Sequence, residues 1–209
     1  MRIRNVKNKK EILNNNSNVI NNPLLYKGKW NECFNNDNPI HLEIGTGKCS
    51  FIIENAIKYP NINFIGVERI DSVLALGIKS LKEYIPNLRL INYDANKIDD
   101  IFSSEIDILY LNFSDPWPKS RHTKRRLTSY EFLTKYDNIF KDKKTIIQKT
   151  DNESLFTYSI ISLSNYGYVF EDLSLDLHNC SKNDNIETEY EKKFASKGCK
   201  IFMLKATKN

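Results

Sequence analysis

Pro39-Ile40-His41-Leu42-Glu43-Ile44-Gly45-Thr46-Gly47 is the stretch on which the fold turns. A short apolar run that stops at a glycine is what a strand buried on both faces looks like, because no solvent side imposes an alternation. The Gly-Thr-Gly turn behind it lets backbone approach a ligand closely, since no Cβ intrudes. Outward from here the pattern alternates. A helix is expected over about 48–59 and a second strand at Asn63-Phe64-Ile65-Gly66-Val67. Asp71 caps a helix to about residue 83, followed by strands over 88–92 and 106–112. Thr128 caps a helix to about 140, 145–149 is a fifth strand, and Thr150 or Asp151 caps a helix to about 164. Two late β segments, about 168–175 and 200–206, close the sheet. Strand–helix alternation of this kind predicts an α/β fold with a doubly wound, mostly parallel sheet. Residues 39–209 read as a single domain without internal repeats. Residues 1–38, with Asn14-Asn15-Asn16-Ser17-Asn18, read as a polar N-terminal arm, a loop or a mobile segment.

Composition narrows the class. At 209 residues with 40% hydrophobic content the chain can close a real core, and no run approaches the ~20 apolar residues of a membrane helix. The basic, polar start is unlike a secretory signal, so a cytoplasmic location is expected. Cys33, Cys49, Cys180 and Cys199 show no CxxC pairing, and His41, His122 and His178 lack ligand spacing, so neither a disulfide framework nor a metal is implied. The net charge of +5 is modest. Its distribution says more: Lys119-Ser120-Arg121-His122-Thr123-Lys124-Arg125-Arg126 gathers five cations. Such a run is either a solvated face or a contact for a polyanion.

In open parallel sheets ligands bind at the carboxyl ends of the strands. Those exits carry Glu43 with Gly45 and Gly47, then Glu68, Asp94 and Asp115. Glu68 stands about 20 residues beyond the glycine turn, where an acidic side chain accepts hydrogen bonds from ribose hydroxyls. An acidic lining suits a cationic ligand with an ammonium and a sulfonium. S-adenosylmethionine therefore fits better than NAD. Cys49 stands where such cofactor turns commonly have a further glycine.

Phe113-Ser114-Asp115-Pro116-Trp117-Pro118-Lys119 followed by Arg121-His122-Thr123-Lys124-Arg125-Arg126-Leu127 resembles the signature of bacterial tRNA (guanine-N7-)-methyltransferases. The resemblance runs along the chain. Arg2-Ile3-Arg4-Asn5 looks like the family's N-terminal arm, His41 to Gly47 like its cofactor motif, and Lys149-Thr150-Asp151-Asn152 and Thr188-Glu189-Tyr190-Glu191 like its substrate motifs. Apart from Cys49, the visible departure is Lys143-Lys144, where a glycine pair often precedes the fifth strand. The resemblance implies a Rossmann-like class I S-adenosylmethionine-dependent methyltransferase fold and methylation of N7 of a variable-loop guanine in tRNA. It implies cofactor contacts from Glu43, Gly45, Gly47, Glu68, Asp94 and Asp115, and substrate contacts from Lys119, Asp151, Thr188, Glu189, Tyr190 and Glu191.

The chemistry asks for these residue types. Two prolines around Trp117 stiffen the loop that carries Asp115, the expected catalytic residue. Trp117 either stacks on a base or packs the loop down. Guanine N7 has a lone pair and no proton to lose, so positioning and charge stabilisation are expected to carry the catalysis. Asp151 and Glu191 can accept from the Watson–Crick edge of guanine, although Asp151 can also cap its helix. Arg121, His122, Lys124, Arg125 and Arg126 are the candidate RNA contacts, with Arg2, Arg4, Lys7, Lys9 and Lys10 as a flexible second set. A methylase of DNA or small molecules, and an inert RNA-binding module on the same fold, are the competing readings. A monomer and a homodimer are both compatible with the sequence.

Overall fold

The computed structural model describes residues 6–179 and 185–209. Seven strands form one sheet: β1 (Ile40–Ile44), β2 (Asn63–Glu68), β3 (Leu88–Asn92), β4 (Ile106–Asn112), β5 (Phe140–Thr150), β6 (Val169–Ser174) and β7 (Phe202–Lys208), in the order β3-β2-β1-β4-β5-β7-β6. The first five pair in parallel, and β7 runs antiparallel between β5 and β6. The chain starts in the middle at β1, winds out to β3, then returns to lay β4 on the other side of β1. That reversal opens a crevice at the carboxyl ends of β1 and β4. β1 is buried at every residue, which is why its sequence does not alternate.

The α-helices of the described residues are α1 (Lys9–Asn14), α2 (Trp30–Phe34), α3 (Ser50–Lys58), α4 (Asp71–Ile78), α5 (Tyr130–Ile139), α6 (Glu153–Asn165) and α7 (Glu189–Ala195). One apolar core joins Leu42, Ile44, Ile65 and Leu109 to Phe132 and Tyr136 of α5 and Phe156 of α6. Another joins Phe64, Leu88 and Leu90 to Ile52 of α3 and Leu74 of α4. In β2 and β3 neighbouring residues feed opposite cores, Ile65 and Ile91 the first and Phe64 and Leu90 the second, as the pleat dictates.

The largest departure from expectation is the polar arm. Over its described part it is built into the domain. Trp30 has no exposed surface, and its indole N–H donates to the Ile101 carbonyl at 2.8 Å. Leu13, Val19 and Phe34 are also core residues. Asn18 and Ile20 pair with Leu90, so this segment covers the free edge of β3. The asparagines that suggested a loop make these contacts: Asn18 Nδ2 donates to the carbonyls of Ile85 and Leu88. Residues 1–5, including Arg2 and Arg4, lie outside the described residues, as does Cys180.

Smaller corrections have local causes. α4 has Ile70 at its N-cap position, with Asp71 already its first helical residue, and it ends at Ile78 rather than near residue 83. The Ser80 hydroxyl takes the Gly77 carbonyl there at 2.6 Å and gives the helix its end. β5 begins at Phe140, through a stretch too polar to read as strand. Lys143 and Lys144 sit in it and find Glu171 and Asp137 as partners, so the missing glycine pair costs no turn. Thr128 does not cap α5: its hydroxyl bonds that of Ser159, and Ser129 precedes the helix. Neither Thr150 nor Asp151 caps α6. Asn152 does, accepting from the Leu155 N–H at 2.8 Å.

Candidate active site

The glycine turn after β1 is left-handed at Gly45 (φ 79°) and Gly47 (φ 58°), and an added Cβ at Gly45 would project into open space. Cys49 is also left-handed (φ 66°), which costs a non-glycine residue about 1–2 kcal/mol. Its buried Sγ packs against α4, where a Cβ on Gly77 would come within 2.7 Å of it. The glycine absent at 49 is thus matched by one at 77.

Glu68 is held by backbone from two sides, accepting from the Gly47 N–H (3.0 Å) and the Ile70 N–H (2.8 Å). Asp94 accepts from the Asn96 N–H at 2.9 Å. Each carboxylate keeps lone pairs for a ligand. With Gly45, Asp115, Trp117 and Arg125, they line a cavity of about 620 Å³. A neighbouring cavity of about 310 Å³ shares Gly45 and Phe113 with it, and adds Glu43, Gly47, Thr188, Glu189 and Tyr190.

Glu43 is buried at the join. It accepts from the Thr46 hydroxyl (2.7 Å) and from Asn112 Nδ2 (2.8 Å). Burial pushes its carboxyl up to about 6, against those two hydrogen bonds. Burial also raises Glu68. The donated amide N–H₂ fixes which way Asn112 points, and leaves its buried Oδ1 without a partner. Nothing in the motifs singles out Asn112. A polar residue ending a buried strand was the available signal.

The loop after β4 bends through two left-handed non-glycine residues, Phe113 (φ 51°) and Trp117 (φ 42°). Trp117 packs edge-on against His122 and lies under the Arg125 guanidinium. Asp115 is exposed at the cavity, and its carboxylate forms no hydrogen bond or ion pair among the described residues.

Thr188 and Glu191 form a reciprocal capping box that starts α7. This changes the part expected of Glu191. It has no exposed surface, and its carboxylate is engaged by Lys149 Nζ (2.9 Å), Asn185 Nδ2 (2.7 Å) and the Thr188 N–H (3.3 Å), with His178 Nε2 at 3.3 Å. A carboxylate so occupied ties α7 to β5. Lys149 also donates to the Asn185 side chain and the Ile186 carbonyl. Burial lowers its affinity for the proton and Glu191 opposes that shift. Tyr190 is presented instead. Its ring lies between Phe113 and Phe194, and its hydroxyl donates to Asp151 at 3.3 Å. Lys119 and Asp151 lie outside both cavities, Lys119 exposed and Asp151 half-buried.

A family model described as "Putative methyltransferase" matches residues 37–204. The tRNA (guanine-N(7)-)-methyltransferase of Bacillus licheniformis is 50% identical over 190 residues, 90% of this chain and 89% of its own. Those of a Geobacillus species and Listeria monocytogenes are 52% and 51% identical, over 88% and 90% of this chain and 84% and 88% of theirs. The chain belongs to the tRNA (guanine-N7-)-methyltransferase family. Among solved structures, an antibiotic-related methyltransferase superposes with a TM-score of 0.64 at 16% identity, covering 87% of this chain and 93% of that one. The 16S rRNA methyltransferase KamB also gives 0.64, at 14% identity over 86% and 92%. At such identity these establish the class I methyltransferase fold alone.

The methyl donor of a methyltransferase of this family, S-adenosylmethionine, fits the residues present. The open space above Gly45, the acceptors of the buried Glu43 and the half-buried Glu68, and the unpartnered Asn112 Oδ1 suit a ligand rich in donors and positive charge. Among the described residues no cluster of His, Cys, Asp or Glu could hold a metal ion, and no helix is long and apolar enough to cross a membrane.

Proposed function

We propose that the protein methylates N7 of a guanine in tRNA, in the variable loop as its family resemblance implies. The observation that carries this reading is the Asp115 carboxylate, exposed and unpartnered on a proline-braced loop at the acidic cavity. When bound, S-adenosylmethionine supplies an electrophilic methyl group on a sulfonium. Glu43, Glu68 and Asp94 hold it at the strand exits through its ammonium and its nucleoside. Because N7 offers a lone pair and no proton, no side chain is asked to act as a base. Asp115 orients the guanine and favours the positive charge that develops on it. Asp151, steadied by the Tyr190 hydroxyl, accepts from the Watson–Crick edge and leaves N7 free on the opposite side. Tyr190, its ring packed between Phe113 and Phe194, presents its exposed edge and hydroxyl to the base. Thr188 and Glu191 keep Tyr190 in place, and Lys119 with Arg121, Lys124 and Arg125 contacts ribose and phosphate. Such an enzyme works in the cytoplasm, where tRNA is found.

The test is a tRNA bearing 7-deazaguanine at the methylated position, which keeps the Watson–Crick edge and lacks N7. It should compete with normal tRNA for binding yet accept no labelled methyl group. Methylation of that same nucleotide would show another acceptor atom and end the proposal.

A further inference from the structure

Arg126 stands apart from the other cations of residues 119–126. Arg121, Lys124 and Arg125 are exposed, whereas Arg126 is half-buried and turned inward. Its Nε donates to the Pro116 carbonyl at 3.0 Å and its Nη2 to the Trp117 carbonyl at 3.1 Å. Its guanidinium lies over the Tyr158 ring of α6, 4.3 Å from the centroid.

Apart from the packing of Trp117 on His122 and Arg125, the gripped loop has little else to fix it. Pro116 and Pro118 have no N–H to give, and Trp117 is held in the left-handed region that a non-glycine residue avoids. Phe113 donates to the Lys149 carbonyl and His122 to that of Lys119. Between them, no N–H of residues 114–118 donates to backbone among the described residues. The planar fork of an arginine can take two successive carbonyls and still stack on a ring, which a lysine ammonium cannot do.

We propose that Arg126 is a positioning residue: it clamps the Asp115-Pro116-Trp117-Pro118 loop against α6 so that Asp115 stays at the cavity, and it does not bind RNA phosphate. This rests on reading Asp115 as the catalytic carboxylate. It separates Arg126 from its neighbours in the basic run, whose side chains remain available to RNA.

The experiment uses the full chain with Arg126→Ala, Arg126→Lys and Tyr158→Ala, and three measurements. Both Arg126 variants should lower kcat on tRNA by up to about 10²-fold, as a misplaced reacting group does. Their tRNA affinity should stay within about twofold of wild type, with the slope of log K against log salt unchanged. Acrylamide should quench more of the tryptophan fluorescence in both: of the two tryptophans, Trp30 has no exposed surface, so the change reports Trp117. Tyr158→Ala should move kcat and quenching in the same direction by less. If Arg126→Ala does not fold, Arg126→Lys and Tyr158→Ala carry the same test. A lysine variant with wild-type kcat and quenching overturns the proposal. So does weakened tRNA binding with a salt slope flattened by about 0.7–0.9, the mark of one phosphate no longer neutralised. Absence of 7-methylguanosine from tRNA treated with the wild-type protein would instead sink the functional reading, and the quenching comparison would still decide whether Arg126 holds the loop.

Discussion

Glu43 is a carboxylate whose environment penalises its charge until a cation arrives. Its carboxyl is raised to about 6 by burial. Without ligand, an acid with a raised folded value takes up protons more readily than in the unfolded chain. Its contribution to stability is therefore greatest below the ordinary value of 4.5 and falls as pH rises towards 6. Ligand binding has the opposite sign, because a cationic cofactor favours the ionised form. Affinity for S-adenosylmethionine, measured by calorimetry, should be flat above about pH 6 and drop by up to about tenfold per unit below it. Glu43→Gln should flatten that limb, and an unchanged slope would place the titrating group elsewhere. Glu68→Ala should weaken cofactor binding by about 1–3 kcal/mol, as expected when a half-buried charged acceptor is removed. Glu191 tests a different role. Removing one partner of a buried ion pair costs about 3–5 kcal/mol, so Glu191→Ala should lower unfolding stability by that order. A variant of full stability that discriminated poorly among bases would return Glu191 to direct guanine contact.

Among the elements, the 3₁₀ turn of Ser120–Arg125 and the start of α7 have separate duties. The turn exposes Arg121, Lys124 and Arg125, and among the described residues Lys124 has the half-buried Glu131 as its ion-pair partner. A surface pair of this kind is worth little and yields readily to phosphate. Replacing Arg121 and Lys124 together should weaken tRNA binding and flatten its salt slope by about 0.7–0.9 for each phosphate left without its cation. Cofactor affinity should stay the same; an unaltered slope would make the turn a solvated face. At α7, the capping box sets where the helix begins and hence where Tyr190 stands. Thr188→Ala should cost about 1 kcal/mol in urea unfolding, the ordinary worth of such a cap. It should also raise KM for tRNA more than it lowers cofactor affinity.

For the whole molecule, the amino-terminal segment is the piece whose importance the fold reveals. It covers the β3 edge and reaches both cores, and Lys9 of α1 pairs with Asp71 at the head of α4 at 2.9 Å. Trp30→Ala should destabilise the protein by about 3–5 kcal/mol, the range for an aromatic removed from a core. The readout is the urea midpoint, and a change below about 1 kcal/mol would show the segment to be dispensable packing. An exposed edge strand is also prone to pair with another chain, so the same variant should aggregate more readily on heating.

Local pattern was enough for the strands of the sheet's centre. β3 and β4 begin and end where expected, and β1 and β2 within a residue, because largely buried strands advertise themselves by composition. It also placed Glu43, Glu68, Asp94 and Asp115 at neighbouring strand exits, and there they line two adjoining cavities. Sequence could not tell a polar side chain that faces a ligand from one consumed by the protein. Arg126 and Lys124 are two cations of one run, and only packing turns the first onto backbone carbonyls and leaves the second in solvent. Glu191 and Asp151 are both acidic residues of substrate motifs, and only the approach of Lys149 and Asn185 uses one of them up. The buried Trp30 was hidden for the same reason. Its partners, Ile101 and Phe102, lie some seventy residues away, and burial that depends on distant partners leaves no local period to read.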